Sequence, residues 1–184
     1  MTREPENIDA IISGCIKGSR KSQEQLYRNF YRVMVSLCLR YTKNENNAVE
    51  VLNNAFLKVF KNIQRYDPGQ ATLYTWIRTI VIHSCLDFIN AQEKNQAHFE
   101  LDEAADIHIP AVAFEKMEAS ELLQLVRQLP SATRAVFNLY VMEGYNHREI
   151  GSLLHISEGT SKWHLSEARK SLRQMIEKQH HKHS

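Results

Sequence analysis

Cysteine, proline, glycine, long apolar runs and a surplus of either charge are all scarce in this chain. Its 184 residues hold three cysteines, four prolines and six glycines. Cys15, Cys38 and Cys85 lie far apart on apolar segments with no CxxC pair, which argues against disulfide or metal roles and for reduced core residues of a cytosolic protein. No stretch reaches the roughly 18 consecutive apolar residues of a membrane span. The opening MTREPENIDA carries charge but no apolar run, so a cytoplasmic protein without a membrane partner is expected. With 23 Lys plus Arg against 21 Asp plus Glu the net charge is +2, and any affinity for nucleic acid has to come from local patches. There is no Gly-rich phosphate loop, nucleophile elbow, metal-spaced His/Cys set or pair of catalytic carboxylates, so neither an enzyme nor a cofactor or metal site is expected. His180, His181 and His183 beside Lys182 read as a solvated, frayed tail.

What is present is helical periodicity. Leu26, Phe30, Val33, Leu37 and Tyr41 form one apolar stripe; Leu52, Ala55, Phe56, Val59, Phe60 and Ile63 form a second; Leu73, Trp76, Ile77, Ile80 and Val81 form a third. A shorter helix around Ile8 to Ile16 precedes them, and no segment alternates with period two as a strand would. Pro68 and Gly69 in YDPGQAT break the chain between the second and third stripes. From about Asn90 to Pro110 the sequence is polar and aperiodic, as a linker is. Periodicity resumes with Leu122, Leu125, Val126 and Leu129, and again after Pro130 with Val136, Phe137 and Tyr140. The fold class expected is all-α: two small helical domains, 1–91 and 114–178, joined by a flexible linker at 92–113 and followed by a tail at 179–184. Domains this small bury only about 60% of their unfolded surface and often rely on a partner.

The second domain ends in a helix-turn-helix. Asn146 has the side chain to cap a helix and Glu149 the reach to return the bond, with Tyr145 and Ile150 placed as a hydrophobic staple. His155 and Ile156 make a short turn before Ser157 caps a second helix, and so tight a turn makes the two helices cross steeply. In that second helix Leu165, Ala168, Leu172 and Ile176 share one face, which leaves Thr160, Trp163, Glu167, Lys170 and Gln174 opposite them, where a major groove would be met.

From about Leu26 to Ile176 the chain resembles the extracytoplasmic-function sigma factors, small bacterial initiation subunits built from regions 2 and 4. LPSATRAVFNLYVMEGYNHREIGSLLHISEGTSKWHLSEARKSLR is similar to region 4, and LYRNFYRVMVSLCLRYTKN, AFLKVFKNI and LYTWIRTIVIHSCLDFI to region 2. The style of these segments resembles the sigma factors of Bacteroidetes. The resemblance implies a protein that binds the clamp and flap of RNA polymerase core and recognises promoter DNA, with no covalent chemistry of its own. It implies core binding by Asn47, Glu50, Asn53, Phe56 and Phe60; capture of the melted minus-10 element by Tyr66, Asp67, Gly69, Gln70, Thr72 and His83; and minus-35 contacts by Thr160, Ser161, Lys162, Trp163, His164, Glu167 and Lys170. An anti-sigma factor is the usual regulatory partner of such a protein.

Several positions depart from the family pattern. Where the family has an acidic run with a glutamine, this chain has Asn47, Val49, Glu50 and Asn53; where a basic stretch follows the third helix, it reads Asn90, Ala91, Gln92, Glu93, Lys94, Asn95. His83 stands for an asparagine, Trp163 for a small polar residue and Glu167 for an arginine. Each lost cation removes a phosphate contact and its released counterion. Because the changes fall together on DNA-reading and clamp-binding surfaces, they suggest weak autonomous promoter recognition and delivery by another DNA-bound protein, RNA-guided or sequence-specific. The competing expectations are a helix-turn-helix transcriptional regulator that is not a polymerase subunit, and a decoy that keeps the fold without initiating.

Overall fold

The computed structural model describes residues 8–94 and 119–180, which form helices joined by short turns and loops, with no strand among them. The expected bounds need correcting at two places: residues 92–94, expected in the linker, and 179–180, expected in the tail, are helical, because each helix runs on past its apolar stripe; the rest of the expected linker and residues 181–184 lie outside the described residues. Four helices come first: α1 (Ile8–Ile16), α2 (Arg20–Tyr41), α3 (Glu45–Asn62) and α4 (Leu73–Lys94). Four more follow: α5 (Ala119–Gln128), α6 (Ser131–Phe137), α7 (His147–Leu154) and α8 (Glu158–His180). Contacts divide the chain into two compact units, one of Met1–Leu39 with Asn44–Cys85 and one of Arg40–Lys43 with Leu86–Ser184.

In the first unit the core is the set of stripes expected from the sequence, shifted slightly. Leu26, Met34, Leu52, Phe56, Leu73 and Ile77 are buried, whereas Val33, Phe60, Trp76 and Ile80 are only half-buried. Cys15, Cys38 and Cys85 are buried free thiols. Burial raises the pKa of Cys15, which makes it an inert core group. Asn44 caps α3 by accepting from the Asn47 N–H at 2.9 Å, a bond worth about 1 kcal/mol at a helix N-terminus.

The second unit is built around α8, whose stripe of Leu165, Ala168, Leu172 and Ile176 is buried. Arg134 on α6 is also buried, and its Nη1 donates to the Arg127 carbonyl at 2.8 Å, near the C-terminal end of α5. A cation there answers the partial negative charge of a helix end. Desolvation, followed by the charge of Arg127, lowers the pKa of Arg134. After Phe137 the helix widens into a π-turn, Asn138–Met142, in which the Glu143 N–H reaches back to the Asn138 carbonyl at 3.1 Å. That extra residue per turn leaves Tyr140 and Val141 exposed, although the sequence pattern had counted Tyr140 with the apolar positions. Within the same unit Asn138 Nδ2 donates to the Arg40 carbonyl at 2.7 Å, and the Arg40 guanidinium lies 3.2 Å from the Glu143 carboxylate.

Candidate nucleic-acid interface

The geometry of α7, its turn and α8 follows from its caps. Asn146 Oδ1 accepts from the Glu149 N–H at 2.9 Å, and Glu149 Oε2 accepts from the Asn146 N–H at 2.8 Å, so the capping box is complete. At the other end His155 takes φ 57, a left-handed conformation that non-glycine residues seldom adopt, and the Ile156 N–H closes on the Gly151 carbonyl at 3.0 Å. A Cβ on Gly151 would stand 2.8 Å from the Ile156 carbonyl oxygen, backbone against backbone, so the tight turn needs glycine there. Ser157 Oγ then accepts from the Thr160 N–H at 3.0 Å and starts α8.

The residues assigned to α8 separate into two sets. Lys162 and Lys170 are exposed, and Thr160, Trp163 and Glu167 are half-buried on the side away from the apolar stripe. Ser161 and His164 turn inward instead. The Ser161 hydroxyl is buried 2.9 Å from His147 Nδ1 on α7, and His164 Nδ1 is 3.0 Å from the buried Thr133 hydroxyl on α6. These bonds fasten α8 to both neighbouring helices. Desolvation pushes the His164 pKa down to about 4 and lowers that of His147, where Lys162 adds to the effect, so both imidazoles are neutral at pH 7. His147 also stacks on Tyr140, with ring centroids 4.6 Å apart. His147 and Thr133 had no signal in the sequence, since their role depends on which helices meet.

The charge on the exposed side is mixed. Lys162 is bound to Glu158 at 2.8 Å, one turn earlier, and that bond lowers the Glu158 pKa. Glu158 therefore places a carboxylate in the first turn of α8, where a phosphate would otherwise gain from the helix dipole. Glu167 accepts from the Ser171 hydroxyl at 3.4 Å and has no cationic partner among the described residues.

In the first unit the segment from Tyr66 to Thr72 is an exposed loop organised by its own side chains. Asp67 Oδ1 accepts from the Gly69 N–H at 2.9 Å, and Asp67 Oδ2 accepts from Gln70 Nε2 at 3.1 Å. Thr72 Oγ1 accepts from the Thr75 N–H at 3.2 Å and so opens α4. Tyr66 leans on Trp76, centroids 5.6 Å apart, which makes Trp76 a support for the loop. His83 is exposed but lies ten residues into α4, about 15 Å along its axis at 1.5 Å per residue. Thr75, Thr79 and His83 continue from Thr72 as an exposed strip at helical spacing. That strip was legible as i, i+4 polar positions, yet Thr75 and Thr79 were not among the residues expected.

On α3, Glu50 and Asn53 are exposed, Asn47 and Phe60 half-buried and Phe56 buried. Phe56 packs edge-on against Tyr27 at 4.8 Å, and the Tyr27 hydroxyl donates to Asn53 at 2.8 Å. Leu57, a turn after Asn53, is 67% exposed. A leucine off the apolar stripe is the signal that could have found it.

Two family descriptions match the chain: Sigma-70 region 2 over residues 26–95 and Sigma-70, region 4 over residues 119–172. Together they span about two thirds of it. Among curated proteins it is similar to the ECF RNA polymerase sigma factor SigE of Mycolicibacterium smegmatis, 25% identical over 95% of this chain and 69% of that protein. It is similar also to the RNA polymerase sigma-H factor of Pseudomonas aeruginosa, 22% identical over 91% and 92%. A third is the ECF RNA polymerase sigma factor SigW of Bacillus subtilis, 24% identical over 92% and 98%. Of solved structures, the sigma factor RpoE in complex with the anti-sigma factor NepR from Bartonella quintana is similar in fold, with a TM-score of 0.50 and 14% identity over 84% of this chain and 96% of that one.

Proposed function

This chain belongs to the sigma-70 family as a sigma factor of the extracytoplasmic-function type, and we propose that it directs initiation by docking on RNA polymerase core through the exposed face of α3. Glu50, Asn53 and Leu57 stand at the centre of that face, with Asn47 and Phe60 beside it and Phe56 holding it from beneath. The loop Tyr66–Thr72 and the strip ending at His83 receive the opened minus-10 strand, at an unstacking cost of a few kcal/mol met by protein contacts. The outward side of α8 meets the minus-35 duplex. On this reading region 2 extends to the end of α4 at Lys94 and region 4 to the end of α8 at His180, so the linker begins three residues later than the expected 92 and the tail two residues later than the expected 179. The protein works in the cytoplasm as an initiation factor and is not an enzyme. An anti-sigma factor is its expected regulator, and the Bacteroidetes style of its segments is a proposal that a family tree would test.

The observation that carries this reading is a helix pair with both ends of α7 and the start of α8 capped and an outward helix face, in a chain matching two regions of one family over 26–95 and 119–172. The experiment is competition for polymerase core. A sigma factor displaces a housekeeping factor, whereas a plain helix-turn-helix regulator does not.

Recruitment by a DNA-bound protein is the finer part of the proposal. It is supported by Lys162 tied to Glu158, by the Glu167 carboxylate, which has no cationic partner among the described residues, and by the lack of a basic run at 90–95. Each phosphate contact not made flattens the salt dependence by about 0.9 in slope. Robust transcription from a two-element promoter by core and this chain alone would sink recruitment.

A further inference from the structure

The outward side of α8 has one apolar feature and one acidic feature, a turn apart, and each matches a single base edge. Trp163 projects opposite the buried stripe, yet its indole is only partly exposed. It lies edge-on against His164, with ring centroids 4.8 Å apart and an interplanar angle of 71°. His164 is in turn anchored 3.0 Å from the Thr133 hydroxyl, which is itself buried. A tryptophan backed in this way keeps one orientation, and so presents a fixed apolar surface rather than a sweeping side chain. In the major groove only thymine offers a methyl group for such a surface.

Glu167 stands four residues further along the same side, and residues so spaced on a reading helix reach neighbouring bases. Its carboxylate is steadied by Ser171, and a carboxylate oxygen accepts hydrogen bonds without donating them. Adenine and cytosine both present an amino group in the major groove. Beside the adenine amino group stands N7, an acceptor that would repel a carboxylate, while the cytosine amino group has no acceptor next to it on its own base. The acidic position therefore favours cytosine.

Resting on the reading of α8 as the DNA-facing helix, we propose that it recognises a thymine–cytosine step, with Trp163 against the thymine methyl and Glu167 accepting from the cytosine amino group. His164 is the positioning residue that sets the indole and does not touch DNA.

The test is selection from a duplex library with a short randomised window, by the 184-residue chain alone at low salt and by the chain bound to polymerase core. Thymine next to cytosine is enriched in at least one arm. Replacing that thymine by deoxyuridine weakens binding about fourfold, the transfer worth of one methyl group. Trp163→Ala binds the thymine and deoxyuridine duplexes equally, and Glu167→Gln shifts the neighbouring preference from cytosine toward adenine, the base glutamine reads. His164→Phe keeps the edge-on ring but loses the Thr133 anchor and so weakens thymine discrimination only in part; His164→Gln keeps a polar partner for Thr133 but loses the ring, and with it the discrimination. A purely structural role for His164 gives the reverse order. Enrichment without a thymine–cytosine step in both arms, or thymine discrimination that survives Trp163→Ala, overturns the inference. Competition for core on the same preparation keeps the two readings apart: a chain that binds core but selects other bases refutes only this inference. One that selects the step but fails to bind core refutes only the sigma reading.

Discussion

The loop Tyr66–Thr72 and the helix pair α7–α8 are held by bonds of different reach. In the loop, Asp67 bonds Gly69 and Gln70, and Thr72 bonds Thr75, all within three residues. In the helix pair, Asn146 and Ser157 act locally, but Ser161 reaches His147 fourteen residues away and His164 reaches Thr133 thirty-one residues away. A site made of local bonds takes its shape wherever the chain places it and yields to a ligand at small cost. One made of bonds between helices is set only when the domain closes, and it holds its side chains more firmly. The contrast suits the two tasks proposed, since an unpaired strand has to be admitted and a duplex has to be met by a rigid surface.

Four measurements would break or sharpen that comparison. Gly151→Val is expected to have the largest effect, about 3 kcal/mol of destabilisation, because the added side chain meets the Ile156 carbonyl and neither backbone can move aside. Hydrogen exchange should show faster opening of α7 and α8 with the first unit unaffected; equal loss of protection in α3 would deny the two sites their independence.

Acid should have an effect of comparable size. The His164 imidazole titrates near 4 in the folded chain and near 6.5 when unfolded. The unfolded state therefore binds the extra proton between those values. Stability of the second unit is full above about pH 6.5 and falls as pH drops toward 4, by at most about 1.4 kcal/mol per pH unit. The lowered pKa of His147 acts in the same direction. In His164→Phe most of this slope should vanish; an unchanged slope would mean that other groups carry it.

Asn146→Ala removes the accepting half of the capping box and should cost about 1 kcal/mol. Thermal unfolding reads it, and protection in α3 should be untouched. Asp67→Ala is expected to change stability least, within about 0.5 kcal/mol, because its bonds are exposed and local. It should nonetheless impair promoter opening, as scored by permanganate reactivity of unpaired thymines. A variant that opens DNA normally would show that the loop does not need its Asp67 bonds to act.

Much of the fold was legible because helices announce themselves locally. The stripes, the break at Pro68 and Gly69, the Asn146 capping box and the Ser157 cap are all patterns within a few residues; the break and both caps are found where the spacing put them, and the stripes with small shifts at Val33, Phe60, Trp76 and Ile80. The candidate site was less legible. Periodicity placed Trp163 and Glu167 outward and set Ser161 and His164 one turn before Leu165 and Ala168 on the buried side, but it could not name their partners, which come from α7 and α6. The exposure of Tyr140 depends on one extra residue in a helical turn, and the periodic template assumes that no such residue is inserted.

By itself, then, the amino-acid order determined where helices begin and end and which face of each is apolar, since caps and 3.6-residue periodicity act over single turns. Tertiary structure decided which polar residues became internal fasteners and which stayed available to a ligand. A serine, a threonine and two histidines are chemically fit for either role, and only the approach of a second helix, which removes water and supplies a partner, settles the choice. The helix at Glu158–His180 is thus local in its making and collective in its aim.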